Sequence, residues 1–196
     1  MKSKTLLKAH HKMVTIYPGE YHVTNRSEAI TTVLGSCISV CLYDGINGVS
    51  GMNHFMLPKN TRVDMNENKA EFLEHVAHSN SLRYGVTSME ILINKMISLG
   101  GRKRNFTAKI FGGANILPVA GTGVTVGEQN IHFILTFLKA EGIEITNQDI
   151  GKKVGRKIIF FTKHNSVYVK PIPITKVKED LPKTNIPHAG EVVLFD

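Results

Sequence analysis

The chain has 196 residues, 42% of them hydrophobic, and a formal net charge of +8, which is typical of one soluble globular domain. It has no apolar run of the ~20 residues that span a membrane and no signal-peptide core, so we predict a cytoplasmic protein without membrane insertion. Lysine and arginine occur in short clusters without interleaved aromatic residues. This pattern argues against nucleic-acid binding and favours an acidic protein partner.

The first predicted elements are short β-strands near residues 20–24 and 30–34, which leave residues 1–19 as an N-terminal extension. Two apolar runs follow, at 38–43 and 49–57. Between them the chain reads Asp-Gly-Ile-Asn-Gly, residue types that tolerate the positive φ angles of a tight reversal. The two runs are therefore predicted to form a β-hairpin.

Three helices are predicted after the hairpin. The first surrounds the apolar residues Leu73, Val76 and Ala77, and the second covers 89–97 and ends at Gly100. The third covers 126–138, where Thr125 and Glu128 form a capping box and Gly142 is a plausible stop. Further strands are predicted near 108–111, 143–146, 157–161 and 167–170, and residues 172–196 form a proline-containing tail.

The order of these elements predicts the fold class. Strands are grouped at both ends of the domain with the helices between them. This order favours a mixed α/β (α+β) sandwich over a doubly wound parallel sheet.

The hairpin carries a candidate catalytic pair, Cys37 and His54. If the reversal is centred between Gly45 and Ile46, these residues lie directly opposite each other, with Cβ atoms ~5 Å apart on the same face. A thiol beside an imidazole is the minimum for a cysteine nucleophile with its general base. The purely structural alternative is that a cysteine in an apolar strand is a small core residue, which suits Cys41.

Other constellations have weaker support. His75 and His78 lie three residues apart on a predicted helix but have no third metal ligand in register. The glycines at 121, 123 and 127 depart from the spacing of a dinucleotide-binding loop. Neither a metal nor an organic cofactor is predicted.

The residues around the pair closely resemble the CheD family of chemoreceptor glutamine deamidases. The resemblance spans roughly residues 20–171 and rests on a series of ordered motifs. They are LGSCISVCLYD from residue 34, GMNHFMLP from residue 51, RYG from residue 83, MEILIN from residue 89, KIFGGAN from residue 109, VGEQN from residue 126 and GRK from residue 155.

The resemblance implies a cytoplasmic enzyme that hydrolyses glutamine side-chain amides on methyl-accepting chemotaxis receptors, in a fold similar to glutamine-deamidating toxins. It implies a catalytic set of cysteine, histidine and threonine, and the family register selects Thr31 over Thr32 as the residue that orients His54. It also implies a possible CheC-type phosphatase partner, with the FGG motif at 111–113 either part of a recognition surface or simply a strand and turn.

Two other hypotheses remain open at this point. The chain could be a non-catalytic regulatory partner that binds receptors or a CheC-type phosphatase, with Cys37 kept for packing. The same cysteine and histidine would also suit a cysteine peptidase.

Overall fold

The computed structural model describes residues 12–57, 70, 71, 74, 80–115 and 124–172. Nine strands and two α-helices are formed within these residues. The strands are β1 (Lys12–Thr15), β2 (Tyr21–Thr24), β3 (Glu28–Leu34), β4 (Ile38–Asp44), β5 (Val49–Asn53), β6 (Phe106–Gly112), β7 (Glu144–Ile150), β8 (Gly155–Phe161) and β9 (Ser166–Ile172). The helices are α1 (Asn80–Ser98) and α2 (Val126–Ala140).

The strands form two mixed sheets. A four-stranded sheet has the order β1-β3-β8-β9, and a five-stranded sheet has the order β2-β5-β4-β6-β7. The pairs β1/β3 and β6/β7 are parallel and the other pairs are antiparallel. The mixed α+β class predicted from the sequence is confirmed.

Two apolar clusters show how these parts are layered. One face of β4, with Ile38, Val40 and Leu42, packs with side chains of α1 and α2. The opposite face of the same sheet, with Cys41 and Phe111, packs against the four-stranded sheet. The five-stranded sheet is therefore buried on both faces, in a three-layer arrangement of sheet, sheet and helices.

Local signals predicted the start of α2 and the C-terminal ends of both described helices, whereas α1 begins at Asn80, nine residues before the first residue assigned to it from the sequence. The Thr125/Glu128 capping box is present at the start of α2, and Gly100 and Gly142 follow the helix ends with φ angles of +93° and +67°. Leu73, Val76 and Ala77 of the remaining predicted helix lie outside the described residues, as do His75 and His78, while the described residues 70, 71 and 74 of the same segment are helical.

The N-terminal boundary predicted at residue 20 is too late. Strand β1 pairs in parallel with β3, so the fold begins no later than Lys12. This strand has only four residues, three of them exposed, at the edge of the sheet. So short and polar a segment has too little apolar alternation to be recognised as a strand.

The hairpin of β4 and β5 is present, but its register differs from the prediction by two residues. Asp44 pairs with Val49 across a four-residue loop, and Ile38 pairs with Phe55, so Cys37 is diagonal to His54 rather than opposite. The cause is Asp44, whose carboxylate accepts hydrogen bonds from two N–H groups inside the loop. A shift of two keeps the strand alternation, so Cys37 and His54 still share a face.

Asp44 stabilises this end of the hairpin. Its buried carboxylate also accepts the Arg102 N–H at 2.8 Å. Burial alone raises the pKa of Asp44, but the hydrogen bonds from Arg102, Asn47 and Ile46 outweigh it and lower the pKa to about 2.

We expect Asp44→Asn to reduce the free energy of unfolding by ~2–4 kcal/mol, because an amide N–H₂ would face groups that are themselves donors. Urea denaturation at pH 7 measures the change. Glu90→Ala, at an exposed position of α1, is the control and should change stability by less than ~0.5 kcal/mol. An equal effect of the two substitutions would contradict this role for Asp44.

Candidate active site

Cys37 lies in the short connection between β3 and β4, half-buried at the edge of the cluster between the sheets. The three consecutive carbonyl groups that end at this residue all accept hydrogen bonds. The bonds are Ala114 N–H to Gly35 O (2.8 Å), Asn130 Nδ2 to Ser36 O (2.8 Å) and Gly113 N–H to Cys37 O (2.7 Å). The backbone that presents the thiol is therefore fixed both by the residues that follow β6 and by Asn130 of α2.

Two of these bonds come from residues 112–114, which we call the glycine strap. Gly112 has a φ of +113°, and a Cβ atom there would lie 2.1 Å from the Cys37 carbonyl oxygen. The Gly112 carbonyl in turn accepts a 2.6 Å bond from Nη1 of Arg156, which is fully buried. Only glycine allows the strap to approach Cys37 this closely.

His54 follows β5, and two backbone hydrogen bonds fix its position. Its N–H donates to Glu20 O at 2.9 Å, and its carbonyl accepts the Gly19 N–H at 2.7 Å. The ring is buried, with Nδ1 2.8 Å from the hydroxyl of Thr32.

The Thr32 hydroxyl determines which ring nitrogen of His54 carries the proton. This hydroxyl lies 2.7 Å from the carbonyl oxygen of Ile16, which can only accept, so its one hydrogen goes there. It must then accept from His54, which places the ring proton on Nδ1. The lone pair of His54 is consequently on Nε2, a buried atom that has no hydrogen-bond partner in the described part of the chain. That is the form a general base requires.

The structure does not place Thr31 against His54, in contrast to the prediction from the family register. The Thr31 hydroxyl donates to Ile158 O at 2.7 Å, on the other face of β3. Thr32 shares the inter-sheet face with Ile30 and Leu34, two residues before and after it. Those two apolar positions are the sequence signal that would have selected Thr32.

Burial keeps both members of the pair neutral near pH 7. It raises the pKa of Cys37 to about 11 and lowers the pKa of His54 to about 4. The free protein therefore holds a thiol and a neutral imidazole rather than a thiolate–imidazolium pair.

Alkylation of Cys37 by iodoacetamide tests this neutral state. With a pKa of about 11, only ~0.1% of the thiol is ionised at pH 8, so the rate should rise about tenfold per pH unit from pH 7 to 10. Peptide mass spectrometry follows Cys37 separately from the fully buried Cys41. A rate that is already constant below pH 8 would contradict the neutral pair.

A cavity of about 180 Å³ reaches His54 from the surface. Tyr17, Pro18 and Lys157 line it together with Thr32. Its lining includes His54 but not Cys37, so the cavity approaches the pair from the side of the imidazole.

Sequence reasoning missed two buried polar residues of this region, Asn130 and Arg156. Arg156 belongs to a short basic cluster with Lys152, Lys153 and Lys157, and nothing in that local pattern indicates a buried residue. Asn130 lies in the apolar stripe of α2, and a polar residue in such a stripe was the available signal. The side chain of Phe111 is only 3% exposed. The FGG motif therefore presents no exposed aromatic ring that could form part of a recognition surface.

No group of three His, Cys, Asp or Glu side chains in the described ranges could hold a metal ion. None of the helices in these ranges is long and apolar enough to cross a membrane.

A half-buried thiol and an imidazole with a free Nε2 lone pair, set in an α+β sandwich, are the components of a cysteine-dependent hydrolase site. Comparison with known proteins identifies the family. Residues 56–171 match the family model described as CheD chemotactic sensory transduction, and the chain belongs to this family.

Several curated relatives are similar over most of their length. A protein of Methylobacillus flagellatus named probable chemoreceptor glutamine deamidase CheD is 41% identical over 157 residues, which are 80% of this chain and 72% of the relative. Two further relatives, probable chemoreceptor glutamine deamidase CheD 2 of Chromobacterium violaceum and probable chemoreceptor glutamine deamidase CheD of Thiobacillus denitrificans, are both 39% identical, over 92% of this chain and 82% and 88% of their own length.

Proposed function

We propose that this chain is a protein-glutamine glutaminase that converts glutamine side chains of methyl-accepting chemotaxis receptors to glutamate and ammonia. The names of its relatives support the substrate class. The observation that carries the proposal is the His54 ring, whose Nδ1 proton is committed to Thr32 and whose Nε2 lone pair is free.

The reaction begins when His54 Nε2 takes the proton of the Cys37 thiol and the sulfur attacks the carboxamide carbon. The tetrahedral intermediate collapses with loss of ammonia, which takes its additional proton from the His54 imidazolium, and a thioester remains on Cys37. Water then attacks the thioester, with His54 accepting its proton. Glutamate is released, and the thiol recovers its hydrogen.

The backbone N–H of Cys37 is suited to stabilise the oxyanion. It lies within hydrogen-bond reach of its own sulfur, where it opposes the rise in the pKa of the thiol that burial causes. We assign this N–H group as an oxyanion donor. No cofactor enters this scheme.

Thr32, rather than Thr31, completes the catalytic set in this proposal. Thr32→Val should lower kcat by ~10²–10³-fold, because a buried Nδ1–H without an acceptor disfavours the required tautomer and the imidazolium. Thr31→Val is the matched control and should stay within about threefold of wild type. The deamidation rates of both variants measure this difference. A larger loss in Thr31→Val than in Thr32→Val would support Thr31, the residue that the family resemblance implies.

The proposal is tested by incubating a receptor cytoplasmic fragment with the protein and following ammonia and peptide masses. Conversion of glutamine adds ~1 Da and leaves the backbone intact, whereas a peptidase would produce fragments. Binding of the fragment without any mass change would instead favour the non-catalytic regulatory partner.

A further inference from the structure

We propose that Asn130 is a positioning residue that sets the spacing between the segments carrying Cys37 and His54. The inference rests on the proposed deamidation for its kinetic consequence. The reactivity of the Cys37 thiol tests it separately.

The side chain of Asn130 bridges both segments. It is fully buried, its Nδ2 donates to Ser36 O at 2.8 Å, and its Oδ1 accepts the Leu57 N–H at 2.8 Å. Ser36 immediately precedes Cys37, and Leu57 lies three residues after His54.

The register of the hairpin explains what this bridge replaces. Ile38 and Phe55 exchange two backbone hydrogen bonds of 2.9 Å, and in a continued antiparallel ladder the next such pair would be Ser36 and Leu57. Leu57 N–H would then donate directly to Ser36 O. In the structure the Asn130 amide is inserted into that bond, accepting from one partner and donating to the other. The two segments are therefore held apart by the width of a carboxamide.

The position of α2 makes this insertion possible. A Cβ atom on Gly127 would lie 2.5 Å from the carbonyl oxygen of Gly113 in the glycine strap, so the helix start contacts the strap through backbone. Thr125 Oγ1 also donates to Asn115 Oδ1 at 2.6 Å. Asn130 lies one turn beyond Gly127 on the same face of the helix.

An amide is the group that suits both partners at this length. It supplies one donor and one acceptor, whereas an ionised aspartate has no donor for the Ser36 carbonyl, and alanine has neither. A protonated aspartate has both. Asn130→Asp should therefore regain function as the pH falls.

The test compares Asn130→Ala and Asn130→Asp with Asp44→Asn, which weakens the opposite end of the same hairpin. Asn130→Ala should lower kcat on a receptor fragment by ~100-fold with KM within about threefold, while Asp44→Asn keeps both. In a Cys41→Ala background, Asn130→Ala should also slow iodoacetamide alkylation of Cys37 at pH 8 by ~10-fold, because the segment that carries the thiol moves when the carboxamide no longer separates it from Leu57.

Asn130→Asp provides an independent test if the alanine variant does not fold. Its alkylation rate relative to wild type should rise several-fold between pH 8 and pH 5.5, as the carboxyl group becomes a donor. A flat ratio, or alkylation by folded Asn130→Ala as fast as wild type, would overturn the proposal. If wild type fails to deamidate the fragment, the proposed function fails while the alkylation contrast still decides the role of Asn130.

Discussion

Cys37→Ala is expected to abolish deamidation, lowering kcat/KM by at least ~10⁴-fold with little loss of receptor binding. The thioester route has no substitute for the sulfur, and the described part of the chain has one other thiol, Cys41, which is fully buried between the sheets. Peptide mass spectrometry of the receptor fragment measures the remaining conversion.

Cys41→Ala is the matched control for this experiment. It removes a sulfur atom from the inter-sheet cluster, so we expect a stability loss of ~1–2 kcal/mol and activity within about threefold of wild type. Substantial conversion by Cys37→Ala, or equal inactivation by the two variants at a temperature where both are folded, would show that Cys37 is not the nucleophile.

Gly112→Ala should have the next largest effect. A methyl group 2.1 Å from the Cys37 carbonyl oxygen cannot be accommodated, so the strap and the Cys37 backbone must move apart, and the φ of +113° adds strain for any residue with a Cβ. We expect a loss of ~2–4 kcal/mol in the free energy of unfolding and at least ~100-fold in kcat.

Gly142→Ala is the control that distinguishes the effect of the steric clash from the effect of the positive φ angle. Gly142 also has a positive φ, +67°, but no heavy atom lies within 4 Å of a Cβ added there. Its substitution should reduce stability by ~1–2 kcal/mol and leave kcat within about twofold of wild type. Thermal unfolding and single-turnover rates measure both properties. Similar kcat values for the two variants would contradict a role of the strap in holding Cys37.

Local patterns in the sequence were sufficient for most elements of the fold. The capping box at Thr125 predicted the start of α2, and the glycine after each helix predicted the two C-terminal ends, because caps depend on only a few neighbouring residues. The start of α1 at Asn80 was not predicted. The hairpin was found for the same reason. Its register was not, because the Asp44 carboxylate reorganises the loop through contacts that residue types alone do not specify.

The candidate site was predictable where strand alternation determines it and not where distant segments meet. Cys37 and His54 share a face despite the shifted register. The choice of Thr32 depends on which face of β3 meets the other sheet. The partner of its hydroxyl, Ile16, lies in the segment predicted as an N-terminal extension. Asn130 bridges Leu57 and Ser36, which precede it by 73 and 94 positions. No local sequence pattern encodes contacts over such separations.

The proposed thioester on Cys37 is tested most directly by adding hydroxylamine to the reaction of wild-type protein with a receptor fragment. A thioester intermediate partitions between water and hydroxylamine, so modified glutamines should appear both as glutamate and as a hydroxamate ~16 Da heavier than glutamine. Both products should be absent with Cys37→Ala. Glutamate formed at an unchanged rate with no hydroxamate at ~1 M hydroxylamine would contradict a covalent intermediate on Cys37.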